Sequence, residues 1–327
     1  MDALLQATST LAGIPLAAVR DLACTLTGSE GPDPVRRGRS GLNHDGAPLQ
    51  LCVGLGRDGP RYRLLGDPAS DVVDIGLRFR RSLRTTDSIL ASTGSGAIEP
   101  AIASTLNALV GDDGIFHPDH YPDGVVWLGA PLAGPGIALY VDARDGGRDP
   151  EKRLRAWLAS VLRFGDDAEC LVRTVMSGRI MSAGIEGVAP GYARAKAYWR
   201  LATPTALSDL PIDLFHAPAF ARAVDLVFGE RVLPLDSIVL SAGLALPGGE
   251  LVDAKLDICC CPRCVRLSTG EAAYLIGELA RTFDLPEPDL TPLLEAGELA
   301  FIGFGLDRAG EARLNIYLKP VAEGRPC

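Results

Sequence analysis

The chain of 327 residues has no apolar stretch approaching the roughly 18–20 uninterrupted residues of a membrane-spanning helix. It also lacks an excess of positive charge: 41 acidic residues against 32 Lys and Arg leave a net charge of −9. A nucleic-acid-binding surface is basic, so that class of partner is not expected, and any anionic ligand must be held by local cations. There is no GxxxxGK[ST] phosphate loop; Ser92-Thr93-Gly94-Ser95-Gly96 is glycine-rich but has no lysine after it. There is no GxSxG nucleophile elbow. The pairs Asp112-Asp113 and Asp166-Asp167 lack the third carboxylate of a DDxxD motif, so the sequence does not require Mg²⁺. The opening MDALLQATSTLAGIPLAAVRDLAC carries Asp2 in place of a basic start. It reads as a helix rather than a signal peptide, which sets a cytoplasmic expectation. Four of the 8 cysteines crowd into CCCPRC, a pattern of thiols rather than of a disulfide framework. Cys261-Pro-Arg-Cys264 is half of a zinc pattern without a second CxxC or a matched His pair. The plainer reading is a strand end built from small, soft residues.

What the chain does have is repetition. Hydrophobic residues make up 47% and charged residues 22%, enough for one sizeable core, and 1–327 reads as a single domain. The tripeptide SAG begins two similar segments, SAGIEGVAPGYARAKAYW (182–199) and SAGLALPGGELVDAKLDI (241–258). Each reads as strand, Gly/Pro turn, strand, and in each a lysine follows the glycine by 12 residues: Gly184 to Lys196 and Gly243 to Lys255. A third copy, FIGFGLDRAGEARLNIYLKP (301–320), is shorter by four residues, an even number that keeps the same faces, and puts Arg313 where the lysines fall. Weaker copies at 125–144 and 41–68 complete five hairpins, or ten strands. Segments 95–111, 149–165 and 268–284 have helical spacing and start after residues that cap helices, and 206–228 contains further helical turns. Ten antiparallel strands need their edges closed. The expected fold is α+β: a ten-stranded antiparallel barrel of five ααββ-type repeats, helices outside, with room for a lumen.

The returning strands alternate strictly. Arg194, Lys196, Tyr198 and Arg200 share one face; so do Asp253, Lys255, Asp257 and Cys259; so do Arg313, Asn315, Tyr317 and Lys319; so do Arg61 and Arg63. The fifth offers Ala138, Tyr140 and Asp142. One polar strand face alone is usually just solvated. If helices cover every apolar face, however, the polar faces converge, and converging Arg and Lys call for a phosphate or diphosphate. Tyr140, Tyr198 and Tyr317 on those faces suit a ligand that also develops a carbocation.

These residues resemble the aromatic prenyltransferases of the αββα-barrel type, which include the dimethylallyltryptophan synthases and their bacterial relatives. Asp45-Gly46-Ala47-Pro48-Leu49-Gln50 looks like their opening strand with Gln50 at the acidic position, and Arg61 matches a basic position on the returning strand. Arg194-x-Lys196-x-Tyr198 looks like their Arg-x-Lys-x-Tyr strand, and LNIYLKP like their last strand. The resemblance implies transfer of a dimethylallyl or longer prenyl group from its diphosphate to an aromatic acceptor, an indole or tryptophan derivative or else a phenol. It implies Arg61, Arg63, Arg194, Lys196, Lys255 and Arg313 around the diphosphate, and Tyr140, Tyr198 and Tyr317 shielding the allyl cation. Gln50 would hold the acceptor, and Asp257, Glu186 or, more weakly, His44 would take the ring proton. The protein would need no cofactor and no Mg²⁺, and would be a monomer or homodimer whose partners are its small-molecule substrates. Two departures stand out: Gln50 cannot be a base or a negative charge, and Ala138-x-Tyr140 replaces a Lys-x-Tyr. Two other readings are a non-catalytic binding barrel with wet polar faces and a zinc or thiol protein centred on Cys259–Cys264.

Overall fold

The computed structural model describes residues 2–28, 39–112, 115–116, 118–121, 123–144, 149–229, 235–261, 264–287 and 289–321. Asp113, Pro262, Arg263 and Cys327 lie outside them. In chain order the elements are α1 (Asp2–Ala12), α2 (Leu16–Thr27), β1 (Leu49–Gly56), β2 (Gly59–Gly66), α3 (Ile75–Thr93), α4 (Glu99–Leu109), β3 (Gly111–Asp112), β4 (Ile115–Phe116), β5 (Val126–Pro131) and β6 (Ile137–Asp142). There follow α5 (Pro150–Val161), α6 (Asp166–Met176), β7 (Gly178–Gly187), β8 (Ala193–Leu201), α7 (Pro218–Phe228), β9 (Ile238–Ala245), β10 (Leu251–Cys259), α8 (Thr269–Thr282), α9 (Thr291–Ala296), β11 (Gly297–Asp307) and β12 (Ala312–Pro320).

Five antiparallel hairpins close into one barrel, in the order β1-β12-β11-β10-β9-β8-β7-β6-β5-β2, and the tiny β3–β4 pair stands apart. The ααββ unit holds in four repeats. In the fourth, α7 alone is helical over its length, and two short 3₁₀ turns (Leu207–Asp209 and Asp213–His216) precede it. Asp149 caps α5 and Ser268 caps α8 with a full capping box, as the sequence suggests. Ser95 instead opens a 3₁₀ turn, and α4 begins at Glu99. Its hydroxyl accepts from the Gly136 N–H at 3.0 Å, tying this turn to the β5–β6 loop. One helix departs from the apolar-spacing rule. α3 buries Arg78, Ser82, Thr85 and Thr86 beside Ile89 and Leu90, so its inner face is largely polar. α6 follows α5 after a break and buries Ala168, Leu171, Val172 and Val175 at regular helical spacing.

The hydrophobic core lies between barrel and helices. Leu49, Leu51, Val53, Leu139, Ile185, Ala197, Leu256 and Ile316 all point outward from their strands into it. Trp199, Phe215, Phe220, Phe304 and Phe283 form a chain of ring contacts at 4.3–6.0 Å that seats α7 and α8 on the barrel. The Trp157 indole N–H donates to Thr105 Oγ1 at 3.0 Å and joins α5 to α4. Each such side chain stabilises the fold by about 1.5–3 kcal/mol through burial. Among the described residues no helix is long and apolar enough to cross a membrane.

One expectation shifts. Residues 41–48 are not a strand: β1 starts at Leu49, and the preceding stretch loops over the end of the barrel. Asn43 holds this loop by donating to the carbonyls of Ala47 (2.7 Å) and Leu49 (3.2 Å).

Close packing fixes where a side chain fits. A Cβ at Gly184 would lie 1.9 Å from the Leu139 carbonyl oxygen. At Gly277, inside α8, it would meet nothing nearer than 3.8 Å. Gly184→Ala should therefore cost about 1–3 kcal/mol in urea unfolding by overpacking, whereas Gly277→Ala should gain about 0.5–1 kcal/mol from helix propensity. Equal effects of the two would contradict this packing.

Candidate active site

Because each strand advances two residues per inward side chain, the lumen is built in ranks along the barrel axis. The hairpin turns close one end, and there sit Glu186, Arg194, Asp253 and Arg313. Arg194 donates to Glu186 Oε2 through Nε at 3.0 Å and Nη2 at 2.5 Å, and also pairs with Asp253. Arg313 pairs with the same Asp253 at 2.8 Å. The next rank carries Arg63, Lys196 and Lys255. Above it stand Tyr140, Tyr198, Tyr317, Leu65, Cys52 and Asp257. Gln50, Trp127, Ser182, Phe301 and Cys259 follow towards the mouth, where Arg144 and Arg200 lie. A cavity of about 550 Å³ opens through these upper ranks and reaches down to Arg63.

The lysines have little water and specific company. Lys255 is fully buried; its Nζ pairs with Asp257 at 2.6 Å and donates to the Tyr317 hydroxyl at 2.8 Å. It lies 5.0 Å from the Tyr317 ring centre and 5.5 Å from that of Tyr198. Lys196 is 2% exposed and lies 5.2 Å from the Tyr198 ring. Burial pulls its ammonium down to about 7, against the pull of Glu186 and Asp253 and with the push of Arg194 and Lys255. Tyr140 and Tyr198 meet edge to face at 5.4 Å with their hydroxyls 3.3 Å apart. Glycines make the room. Lys196 sits opposite Gly184 on one side and Gly243 on the other, and a Cβ at Gly303 would fall 2.2 Å from Asp257 Oδ1.

The equal spacing of the two SAG segments hides a difference in register. Gly184 faces Lys196, but in the second hairpin a bulge between Leu251 and Asp253 sets Lys255 opposite Ser241 and Asp253 opposite Gly243. Asp253 therefore turns to Arg194 and Arg313, and Asp257 is the carboxylate that pairs with Lys255.

Of the sequence-derived residues, Gln50, Arg63, Tyr140, Tyr198, Asp257 and Tyr317 line the cavity, Glu186, Arg194, Lys196, Lys255 and Arg313 lie in the ion network outside its lining, and Arg61 lies apart from both. Arg61 lies on the inward-facing parity, but beside the β1–β2 turn; it is exposed and pairs with Asp58 at 2.9 Å. It is outside the cavity, because face parity fixes direction and not height along the axis. Glu186 is held between Arg194 and Arg63, the latter at 3.6 Å. Burial alone would raise its carboxyl, yet Arg194, Lys196 and Arg63 hold it well below the usual carboxylate range. Asp257 remains at the cavity wall, with Oδ1 buried and unbonded among the described residues. His44 is exposed at the mouth. The Gln50 amide nitrogen donates to Asn43 Oδ1 at 2.6 Å and towards the Leu42 carbonyl at 3.4 Å, so the group it offers the cavity is its carbonyl oxygen. The Arg63 stem and the Ala138 methyl approach the same point above Gly129. Sequence reasoning passes over Trp127 and Phe301. Both sit on the inward parity of their strands, a signal available from the same alternation.

No protein-family model matches the chain, nor does any of the curated proteins. Solved structures do. A 6-dimethylallyltryptophan synthase from Micromonospora olivasterospora, in complex with DMASPP and Trp, superposes with TM-score 0.77 at 17% identity, over 97% of this chain and 95% of that one. A 5-dimethylallyl tryptophan synthase from Streptomyces coelicolor, again with DMASPP and Trp, gives 0.75 at 17%, over 100% and 98%. The prenyltransferase PriB with L-tryptophan and dimethylallyl thiolodiphosphate gives 0.75 at 17%, over 99% and 98%. The barrel expected from the sequence is thus the fold of these proteins along its whole length.

Lys196 gives the lumen a pH dependence of known sign. Below about pH 7 it is an ammonium; above, an amine that must take up a proton to hold an anion. Calorimetric titration with inorganic diphosphate from pH 6 to 9 should show affinity falling with rising pH, with proton uptake visible in buffers of different ionisation heat. Lys196→Met should bind more weakly and lose that uptake, separating the lysine from the titration of diphosphate itself. Identical pH profiles in both proteins would contradict the assignment.

Proposed function

We propose that the protein is an aromatic prenyltransferase that moves a dimethylallyl group from its diphosphate to an indole-type acceptor. The observation that carries this reading is the stacking of ranks in one lumen: cations at depth, a tyrosine collar above them, and an apolar aromatic cavity opening to the mouth. A prenyl diphosphate has the same order of chemistry along its length.

In this reading the diphosphate lies against Arg63, Lys196 and Lys255, with Arg194 and Arg313 behind them. The C1–O bond of the donor breaks, its electron pair leaves with the diphosphate, and the cations neutralise the charge that develops. The allyl cation forms beside the rings of Tyr140, Tyr198 and Tyr317, which stabilise it through their faces and exclude water. A carbon of the acceptor ring attacks, forming the new C–C bond, and the ring proton passes to Asp257. The Gln50 carbonyl accepts the indole N–H, which fixes the ring without supplying a negative charge. Side-chain cations take the place that a divalent metal has in other diphosphate chemistry. The tryptophan complexes of the structural neighbours support an indole acceptor.

Incubation with dimethylallyl diphosphate and either L-tryptophan or a panel of indoles and phenols, with EDTA present, should yield products heavier by one C5H8 unit in mass spectrometry. Absence of product across the panel, together with no diphosphate binding, would overturn the reading in favour of a binding barrel for other ligands. Lys196→Met and Arg63→Ala should each lower kcat/KM about 10²–10³-fold, the scale of a lost charge-stabilising donor. Gln50→Leu should act differently. It should raise the acceptor KM about 3–10-fold, the worth of one hydrogen bond, and leave diphosphate affinity unchanged. A Gln50→Leu protein with unaltered acceptor KM would remove that residue from the site.

A further inference from the structure

One cluster of reactive side chains is left unused by prenyl transfer. β10 ends at Cys259, and the chain then turns so that Cys261 and Cys264 come back to it. Their three sulfur atoms all lie within 4.8 Å of one another. The turn closes through the Cys264 N–H, which donates to the Cys261 carbonyl at 2.9 Å, and the Val265 N–H, which donates to that of Cys259 at 3.3 Å. Cys259 and Cys261 are each 5% exposed. The neighbouring Cys260 points elsewhere, its sulfur set towards the Ile258 carbonyl. None of the seven described cysteines forms a disulfide.

We propose that Cys259, Cys261 and Cys264 bind one zinc-class divalent cation through three thiolates, clamping the end of β10 to the turn that follows. Zn–S bonds of about 2.3 Å in tetrahedral geometry hold sulfurs about 3.8 Å apart, so the three side chains need only a small closure to meet an ion. Thiols are weak donors and weak acceptors and gain little from one another. On binding, three S–H protons leave as three metal–sulfur bonds form. Ser237 adds a second observation. It is fully buried, its hydroxyl lies beside Cys264, and it makes no other hydrogen bond among the described residues. That hydroxyl is placed to donate to a thiolate or to a water in the fourth position. Two of the ligands form the CxxC; the third comes from the strand itself. Cys259 lines the cavity, so the ion would sit in the cavity wall, on the strand that carries Lys255 and Asp257. The site does not depend on the prenyl-transfer reading.

The test uses the whole reduced protein, stripped of metal and titrated with Co²⁺, read by the near-ultraviolet thiolate-to-cobalt charge-transfer band. The band should saturate at one equivalent and collapse when Zn²⁺ is added. It should be lost in Cys259→Ser, Cys261→Ser and Cys264→Ser and kept in Cys24→Ser and Cys170→Ser. Thermal melting with and without Zn²⁺ should show stabilisation by the metal in wild type only. No charge-transfer band in the wild-type protein would overturn the proposal without recourse to any variant. A band of full intensity in Cys259→Ser would also overturn it, leaving the CxxC pair to bind without the strand.

Discussion

An ammonium or guanidinium group taken out of water must find a partner, and the inside of this barrel is arranged around that requirement. Arg63, Arg194, Lys196, Lys255 and Arg313 share the deep lumen with Glu186, Asp253 and Asp257. The carboxylates are too few. Asp253 is divided between Arg194 and Arg313 and Glu186 between Arg194 and Arg63, while Asp257 is committed to Lys255. Lys196 is left with attraction at a distance, and burial brings it down to about 7 as a result. An anion entering the lumen supplies the missing charge. In the proposed reading this shortage of carboxylates favours a multiply charged ligand at depth rather than at the mouth.

Everything else positions those charges. Helices must cover the outside, because Leu, Ile and Trp side chains on the outward parity would otherwise be exposed. That covering forces the opposite parity inward on every strand. Along the axis, steps of two residues convert a linear pattern such as Arg194-x-Lys196-x-Tyr198-x-Arg200 into a vertical series from ion network to cation rank to aromatic collar to mouth. Lumen glycines on the neighbouring strands supply the width that lysine and tyrosine need. The fourth hairpin shows how finely this is set: pairing two residues out of step with the third gives Asp253 to the arginines and keeps Asp257 beside Lys255.

The barrel was legible because its two signals, strand alternation and hairpin repetition, are local and periodic. Where burial is not apolar the reading fails. α3 hides Arg78 and threonines on its inner face, and Arg78 is fixed by Asp67 at 2.6 Å and the Arg39 carbonyl rather than by hydrophobic contact. Residues 41–48 carry a strand-like mixture, yet Asn43 binds them into a loop through its own side chain. In the site, parity identified Arg63, Lys196, Lys255, Arg313 and the three tyrosines as inward-facing. It could not say that Arg61 lies beyond the closed end, since height depends on where each hairpin turns. Nor could it show that Arg63, from a hairpin distant in sequence, would join Arg194 in claiming Glu186. The thiol cluster was half visible as CxxC; its third member is a strand residue whose approach depends on the path of the turn.

The most direct measurement is a crystal structure of the protein with dimethylallyl thiolodiphosphate, which cannot ionise readily. The account places the diphosphate within contact distance of Arg63, Lys196 and Lys255, with the dimethylallyl group among Tyr140, Tyr198 and Tyr317. Diphosphate density at the mouth against Arg144 and Arg200, with the deep cations still paired only to carboxylates, would contradict it.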